Sequence, residues 1–107
     1  MGGQLSHCVQ KQPVAGDYRV QDDFGAKDFA VEATPAERRL AERAIAATRT
    51  RLNLDADLLY ARVDFLYEDD GTAVLNELEL VEPSLFFRHC DQSPMRFARA
   101  IFNRLSR

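Results

Sequence analysis

The chain has 107 residues, 46% of them hydrophobic and 29% charged, with a formal net charge of −3. That is enough for one small domain, residues 1–107, with the balance of a soluble globular protein. It excludes a membrane span, because no apolar run approaches ~18 residues, and an acidic chain disfavours a nucleic-acid partner. Without a basic stretch leading into an apolar one at the N-terminus, and with no motif spacing between Cys8 and Cys90, the expected setting is a reducing cytoplasm.

Residues 4–11 read as a strand ending at Gln12-Pro13, and Val14-Ala15-Gly16-Asp17 as a turn. Tyr18-Arg19-Val20-Gln21 resumes an extended segment, which predicts a hairpin with Arg19 and Gln21 on one face. Residues 22–26 form a loop and residues 28–32 a short alternating strand. Thr34-Pro35-Ala36-Glu37 is a helix start: Thr34 caps, Glu37 reaches back, and Pro35 suits the first helical position. Leu40, Ala44, Ala47 and Arg51 fall in one helical row, with Ala41, Ile45, Thr48 and Leu52 beside it. Their apolar members are predicted to bury against a sheet. Arg38, Arg39, Arg43 and Arg49 fall to the solvated face, and without interleaved aromatics they do not make a nucleic-acid surface.

Residues 60–83, YARVDFLYEDDGTAVLNELELVEP, carry the most information. Asp70-Gly71 reads as a two-residue hairpin turn, because Gly takes the required positive φ without steric cost. That register sets Asp64 opposite Glu77 and Arg62 opposite Glu79. Strand side chains alternate, so these four share one face while Val63, Phe65, Leu78 and Leu80 point toward a core. Carboxylates opposite one another on a sheet repel. Arg62 offsets one of the three, and a hard divalent cation with oxygen ligands offsets the rest; Mg2+ is commonly held by a few carboxylates together with substrate phosphates. The competing reading is a solvated polar sheet face whose ion pairs contribute little. A metal-dependent nuclease would place a lysine two residues after its glutamate, where this chain has Glu79, and the acidic balance also argues against it.

Residues 81–87 form an apolar loop, after which Ser93-Pro94 starts a second helix by the same capping logic. Ala98, Ile101, Phe102 and Leu105, joined by Met95, fall on one apolar face and read as core. His7-Cys8 and His89-Cys90 suggest a zinc site, but adjacent strand residues point to opposite faces and cannot chelate one ion together. Ser84 has no convincing histidine partner, and there is no phosphate-cradling glycine loop. The expected fold is α+β: an antiparallel β-sheet of hairpins covered by two helices.

These residues also carry a family resemblance. A-R-V-D followed by N-E-L-E-L-V-E-P resembles the Arg-x-Asp strand and Glu-x-Asn-x-x-x-Pro segment of the C-terminal lobe of ATP-grasp carboxylate–amine ligases. Glu79 stands at the family's asparagine position. The chain is in this respect similar to a subgroup reading E-L-E-L-x-E-P-S, which takes in glutathione-synthetase-like proteins and the ring-closing ligase of D-cycloserine formation. S-H-C-V-Q-K-Q-P-V-A-G-D-Y-R-V-Q, upstream, is similar to the same subgroup, so the resemblance spans nearly the whole chain.

The resemblance implies an ATP- and Mg2+-dependent (or Mn2+-dependent) ligase that activates a small-molecule carboxylate as an acyl-phosphate for attack by an amine. Asp64, Glu77 and Glu79 would hold the metal, and Arg62 and Arg19 would bind the nucleotide and stabilise charge on the transferring phosphoryl group. Ser84, just after Pro83, would lie beside the cofactor and the acceptor substrate. Gly25-Ala26 stands where the family usually has two glycines. The family's N-terminal substrate domain and first ATP lobe are not matched. The expectation is therefore an incomplete C-terminal lobe, inactive alone, with an N-terminal ATP-grasp half as partner and neither nucleic acid nor membrane involved. The alternative is a non-catalytic remnant or interaction domain that keeps the fold.

Overall fold

The computed structural model describes residues 1–12 and 27–106. Strand β1 (Cys8–Gln12) pairs antiparallel with β2 (Lys27–Val31), setting Lys11 opposite Asp28. Helix α1 (Pro35–Arg51) follows, then the hairpin of β3 (Arg62–Tyr67) and β4 (Ala73–Glu79). A short 3-10 turn (Phe87–His89) leads into helix α2 (Ser93–Leu105). Among the described residues the strands form two separate two-stranded sheets, and α1 lies against β4. The architecture is α+β, as expected from the sequence. The expected pairing partner at residues 18–21, with Arg19, lies outside the described residues.

Helix α1 begins as its sequence dictates. The Thr34 hydroxyl accepts from the Glu37 amide at 3.1 Å, and the Glu37 carboxylate accepts from the Thr34 amide at 2.7 Å. This capping box satisfies two of the amides a helix start leaves unpaired. The same Glu37 carboxylate accepts from the Tyr67 hydroxyl, pinning α1 to the tip of β3. That bond pushes the Tyr67 pKa up to about 12. Arg38, Arg39 and Arg43 are exposed as expected. Arg49 is instead half-buried and donates to Asp57 at 2.8 Å.

The hairpin departs from the expected two-residue turn. The Gly71 amide donates to the Glu68 carbonyl and the Glu68 amide to the Thr72 carbonyl, each at 2.9 Å, so the loop is Asp69-Asp70-Gly71. Gly71 has φ +86°, the left-handed position that closes a three-residue loop. The extra residue would slip the register and turn the charged set over. A bulge at Asn76 takes up the slip: Phe65 pairs with Leu75, but Asp64 pairs with Glu77 and Arg62 with Glu79.

Helix α2 also differs from its expected form. Ser93 is the first helical residue rather than the cap; its hydroxyl donates to the Cys90 carbonyl at 2.7 Å, and it is the one fully buried residue among those described. The helix is held by connecting segments: Phe97 packs on Tyr60 and Phe87, and Arg96 donates to the Ser6 carbonyl at 2.7 Å. The expected core face is largely uncovered, with Met95 65%, Phe102 68% and Leu105 78% exposed. Among the described residues no hydrophobic side chain is fully buried, and no helix is long and apolar enough to cross a membrane.

Candidate functional site

The bulge-corrected register places Arg62, Asp64, Glu77 and Glu79 on one face at the open end of the β3–β4 hairpin. Arg62 grips Asp64 with two parallel bonds, Nε to Oδ1 and Nη2 to Oδ2, both 2.9 Å. Nη2 also lies 3.1 Å from a Glu79 oxygen, and Nη1 donates to the Ser84 carbonyl at 3.3 Å. This planar fork geometry is one a lysine could not reproduce. Partial burial works against the charge of Arg62, but Asp64, Glu79 and Glu77 outweigh it and hold its pKa above the ordinary value.

Glu77 shows the opposite electrostatics. Its hydrogen bond with the neighbouring Glu79 carboxyl, reinforced by Glu79's charge and by Asp64, raises its pKa above the usual carboxylate range. Neighbouring carboxyls on one face ionise together less readily than either would alone. The Glu77–Glu79 pair therefore has the donor chemistry that suits a hard cation. Asp64 is different, because both its oxygens are taken by Arg62. Among the described residues no three His, Cys, Asp or Glu side chains converge at metal-ligand spacing. Of the other residues singled out from sequence, Ser84 contributes its backbone carbonyl and Arg19 lies outside the described residues.

Sequence reasoning missed the aromatic floor beside this face. Phe86 sits at φ 51°, ψ 47°, in the left-handed region that a large L side chain seldom adopts. Three cations from three segments gather over its ring: Lys11 Nζ at 4.8 Å from the centroid, Arg88 at 5.1 Å and Arg62 at 5.8 Å. Nothing in the residue order signals this, since Lys11 is brought in by β1 and Arg62 by β3. The anchors are partly legible afterwards. His7 Nε2 donates to the Leu85 carbonyl at 2.8 Å, which leaves its Nδ1 to accept from the Ser6 hydroxyl. Asp28, opposite Lys11, is shared between His89 and Arg88. The His89 ring first, and Arg88 with it, hold the Asp28 carboxyl below its usual pKa. The histidine of each His-Cys pair is thus an anchor, and both cysteines are free thiols. Beyond Phe86 an open depression of about 350 Å³ is lined by Pro83, Ser84, Leu85, Phe87, Arg88 and Phe97.

Comparison with known proteins identifies one homologous system. No protein-family model matches the chain. The cycloserine biosynthesis protein DcsG of Streptomyces lavendulae is 38% identical over 74 residues, 69% of this chain but 25% of that protein. The crystal structure of D-cycloserine synthetase DcsG superposes with a TM-score of 0.83 at 34% identity, covering 97% of this chain and 35% of that one. The chain is thus homologous to part of DcsG. It spans about a quarter of the curated relative's length and about a third of the solved chain.

Proposed function

We propose that this chain is the metal- and phosphate-handling C-terminal lobe of an ATP-grasp carboxylate–amine ligase related to DcsG. The observation that carries the reading is the register that sets Asp64 opposite Glu77 and Arg62 opposite Glu79 on one hairpin face, in a chain homologous to a cycloserine biosynthesis protein. Glu77 and Glu79 would hold Mg2+ or Mn2+, with Asp64 joining once Arg62 leaves it. The bound ion would neutralise charge on the phosphates of ATP. Phosphoryl transfer needs mainly positioning and positive charge around the transferred oxygens. Arg62 supplies a planar donor fork there, and Arg19 is proposed as the second. The activated group is a small-molecule carboxylate, carried as an acyl-phosphate until an amine attacks it. The partner is the N-terminal ATP-grasp half, and ATP is the cofactor. The cytoplasm, where ATP is supplied, is the proposed compartment.

A Mn2+ titration followed by NMR line broadening tests the metal. Broadening centred on Glu77 and Glu79 and lost in Glu79→Gln supports the reading; broadening elsewhere, unmoved by that substitution, removes it. The second reading, a non-catalytic remnant or interaction domain, is favoured by one observation, the Asp64 carboxylate held bidentate by Arg62. In that case Mn2+ leaves the hairpin untouched.

A further inference from the structure

We propose that the groove between helix α1 and the tip of the β3–β4 hairpin binds a small dianion, a phosphate monoester or a dicarboxylate, through Arg39 and Arg43. The site goes beyond the ligase reading and does not rest on it. The groove lies at the closed end of the hairpin, whereas Arg62, Asp64, Glu77 and Glu79 occupy the open end. Ala36, Arg39, Leu40 and Arg43 make its helix wall, and Tyr67 and Thr72 line the hairpin side, around a space of about 430 Å³. The helix wall follows from helical spacing, since residues three and four apart share a face. Arg39 and Arg43 are both exposed, and among the described residues neither has a hydrogen bond or an ion pair.

The charge of this groove is not balanced from within. Glu37 is the one carboxylate among the lining residues. Its Oε1 accepts from the Thr34 amide at 2.7 Å and its Oε2 from the Tyr67 hydroxyl, so both oxygens serve to join helix and hairpin. Like charges at i and i+4 disfavour a helix. Further along α1 the same residue type is answered by a carboxylate, Arg49 by Asp57 at 2.8 Å. A bound dianion supplies the missing countercharge to both guanidiniums at once. Each guanidinium presents parallel donors that match two oxygens of a carboxylate or phosphate. The Thr34 hydroxyl oxygen accepts from the Glu37 amide, which leaves its own proton for a ligand oxygen. Ala36 and Leu40 give the short hydrocarbon body of such a ligand an apolar surface to rest on. A monoanion neutralises only one arginine, so preference for double charge is the signature of the pair. Solvated arginines without a ligand predict neither saturation nor that preference.

The test is an amide NMR titration of the 107-residue chain with inorganic phosphate, succinate and acetate in turn, at constant ionic strength. At pH about 7.5 the first two are mainly dianions and acetate is a monoanion. Saturable shifts are expected at residues 34–43 and 67–73, tighter with phosphate or succinate than with acetate. The tighter of the two dianions names the group accommodated. Arg39→Gln and Arg43→Gln should each weaken binding by about threefold or more, the scale of one exposed ion pair, and the double substitution should abolish it. Arg43→Lys should recover part of the loss, because it keeps the charge without the fork. Arg38→Gln removes the same charge outside the groove and should leave binding unchanged. Equal weakening by Arg38→Gln, acetate binding as tightly as the dianions, shifts that never saturate, or shifts centred on residues 84–89 overturn the proposal. The Mn2+ broadening at Glu77 and Glu79 is read at the other end of the hairpin, so the groove and the ligase reading stand or fall separately.

Discussion

Arg62 is the residue on which the site turns, because one guanidinium meets two carboxylates, a backbone carbonyl and an aromatic ring. Lysine at this position keeps the charge and loses the fork. In the chain joined to the remainder of the DcsG-like fold, Arg62→Lys is expected to cost about 2 kcal/mol or more in kcat/KM, as lost transition-state donors do. Its effect on unfolding should stay under about 1 kcal/mol, since the pair is partly solvated. Normal activity with a large loss of stability would make Arg62 a structural residue. Glu77 gives a separate, pH-dependent expectation. Its pKa is raised in the folded chain by Glu79, so the folded state binds the proton more tightly than the unfolded one. The stability it contributes is present below its unfolded pKa and is lost as pH rises through the folded value. Glu77→Gln should therefore raise Tm at pH 7 and give no gain below pH about 4, under the unfolded carboxyl pKa. A thermal melt series across that range reads the difference, and an equal gain at both ends would mean the repulsion is absent.

At the scale of the element, the capping box of α1 and the hairpin show how local sequence becomes geometry, and where it stops. Thr34→Ala removes the acceptor for the Glu37 amide and is expected to cost about 1 kcal/mol in denaturant unfolding, with Thr34→Ser nearly neutral. No change on Thr34→Ala would mean α1 is fixed by the Tyr67–Glu37 bond alone. That helix start was legible because capping is a contact between near neighbours. The charged face of the hairpin was legible for a weaker reason. The expected loop was one residue short, yet Arg62, Asp64, Glu77 and Glu79 still share a face because the Asn76 bulge cancels the slip. Neither Asn76 nor Phe86 signals its backbone state in the sequence, since the first depends on how the loop closes and the second on tertiary contacts at Lys11 and Arg88. The Ser93 cap failed because its hydroxyl turns back to the Cys90 carbonyl. The periodicity of α2 correctly gave an apolar face but not whether this chain covers it.

For the whole molecule, that uncovered face decides how the chain behaves. Its accessible surface is 7985 Å², against roughly 6000 Å² for a compact monomer of 12.1 kDa. The radius of gyration is 14.8 Å where about 13 Å is usual for this length. Val81, Phe102 and Leu105 are 80%, 68% and 78% exposed, and covering each such side chain fully would contribute about 1.5–3 kcal/mol. Because denaturant sensitivity scales with the surface that folding removes from water, the isolated chain should unfold with an m-value near the low end for small domains, about 1 kcal/mol/M in urea. A DcsG-like remainder of the fold, which accounts for most of the solved chain's length, is expected to raise both m and Tm when added in trans or in cis. Catalysis by positioning fails when part of the clamp is absent. The 107-residue polypeptide should accordingly show no Mg2+-dependent ADP release by itself and acquire it with that remainder and an amine acceptor. Turnover by the pure chain would show that Arg62, Glu77 and Glu79 suffice to hold ATP, and would overturn the assignment of this chain as one lobe of a larger site.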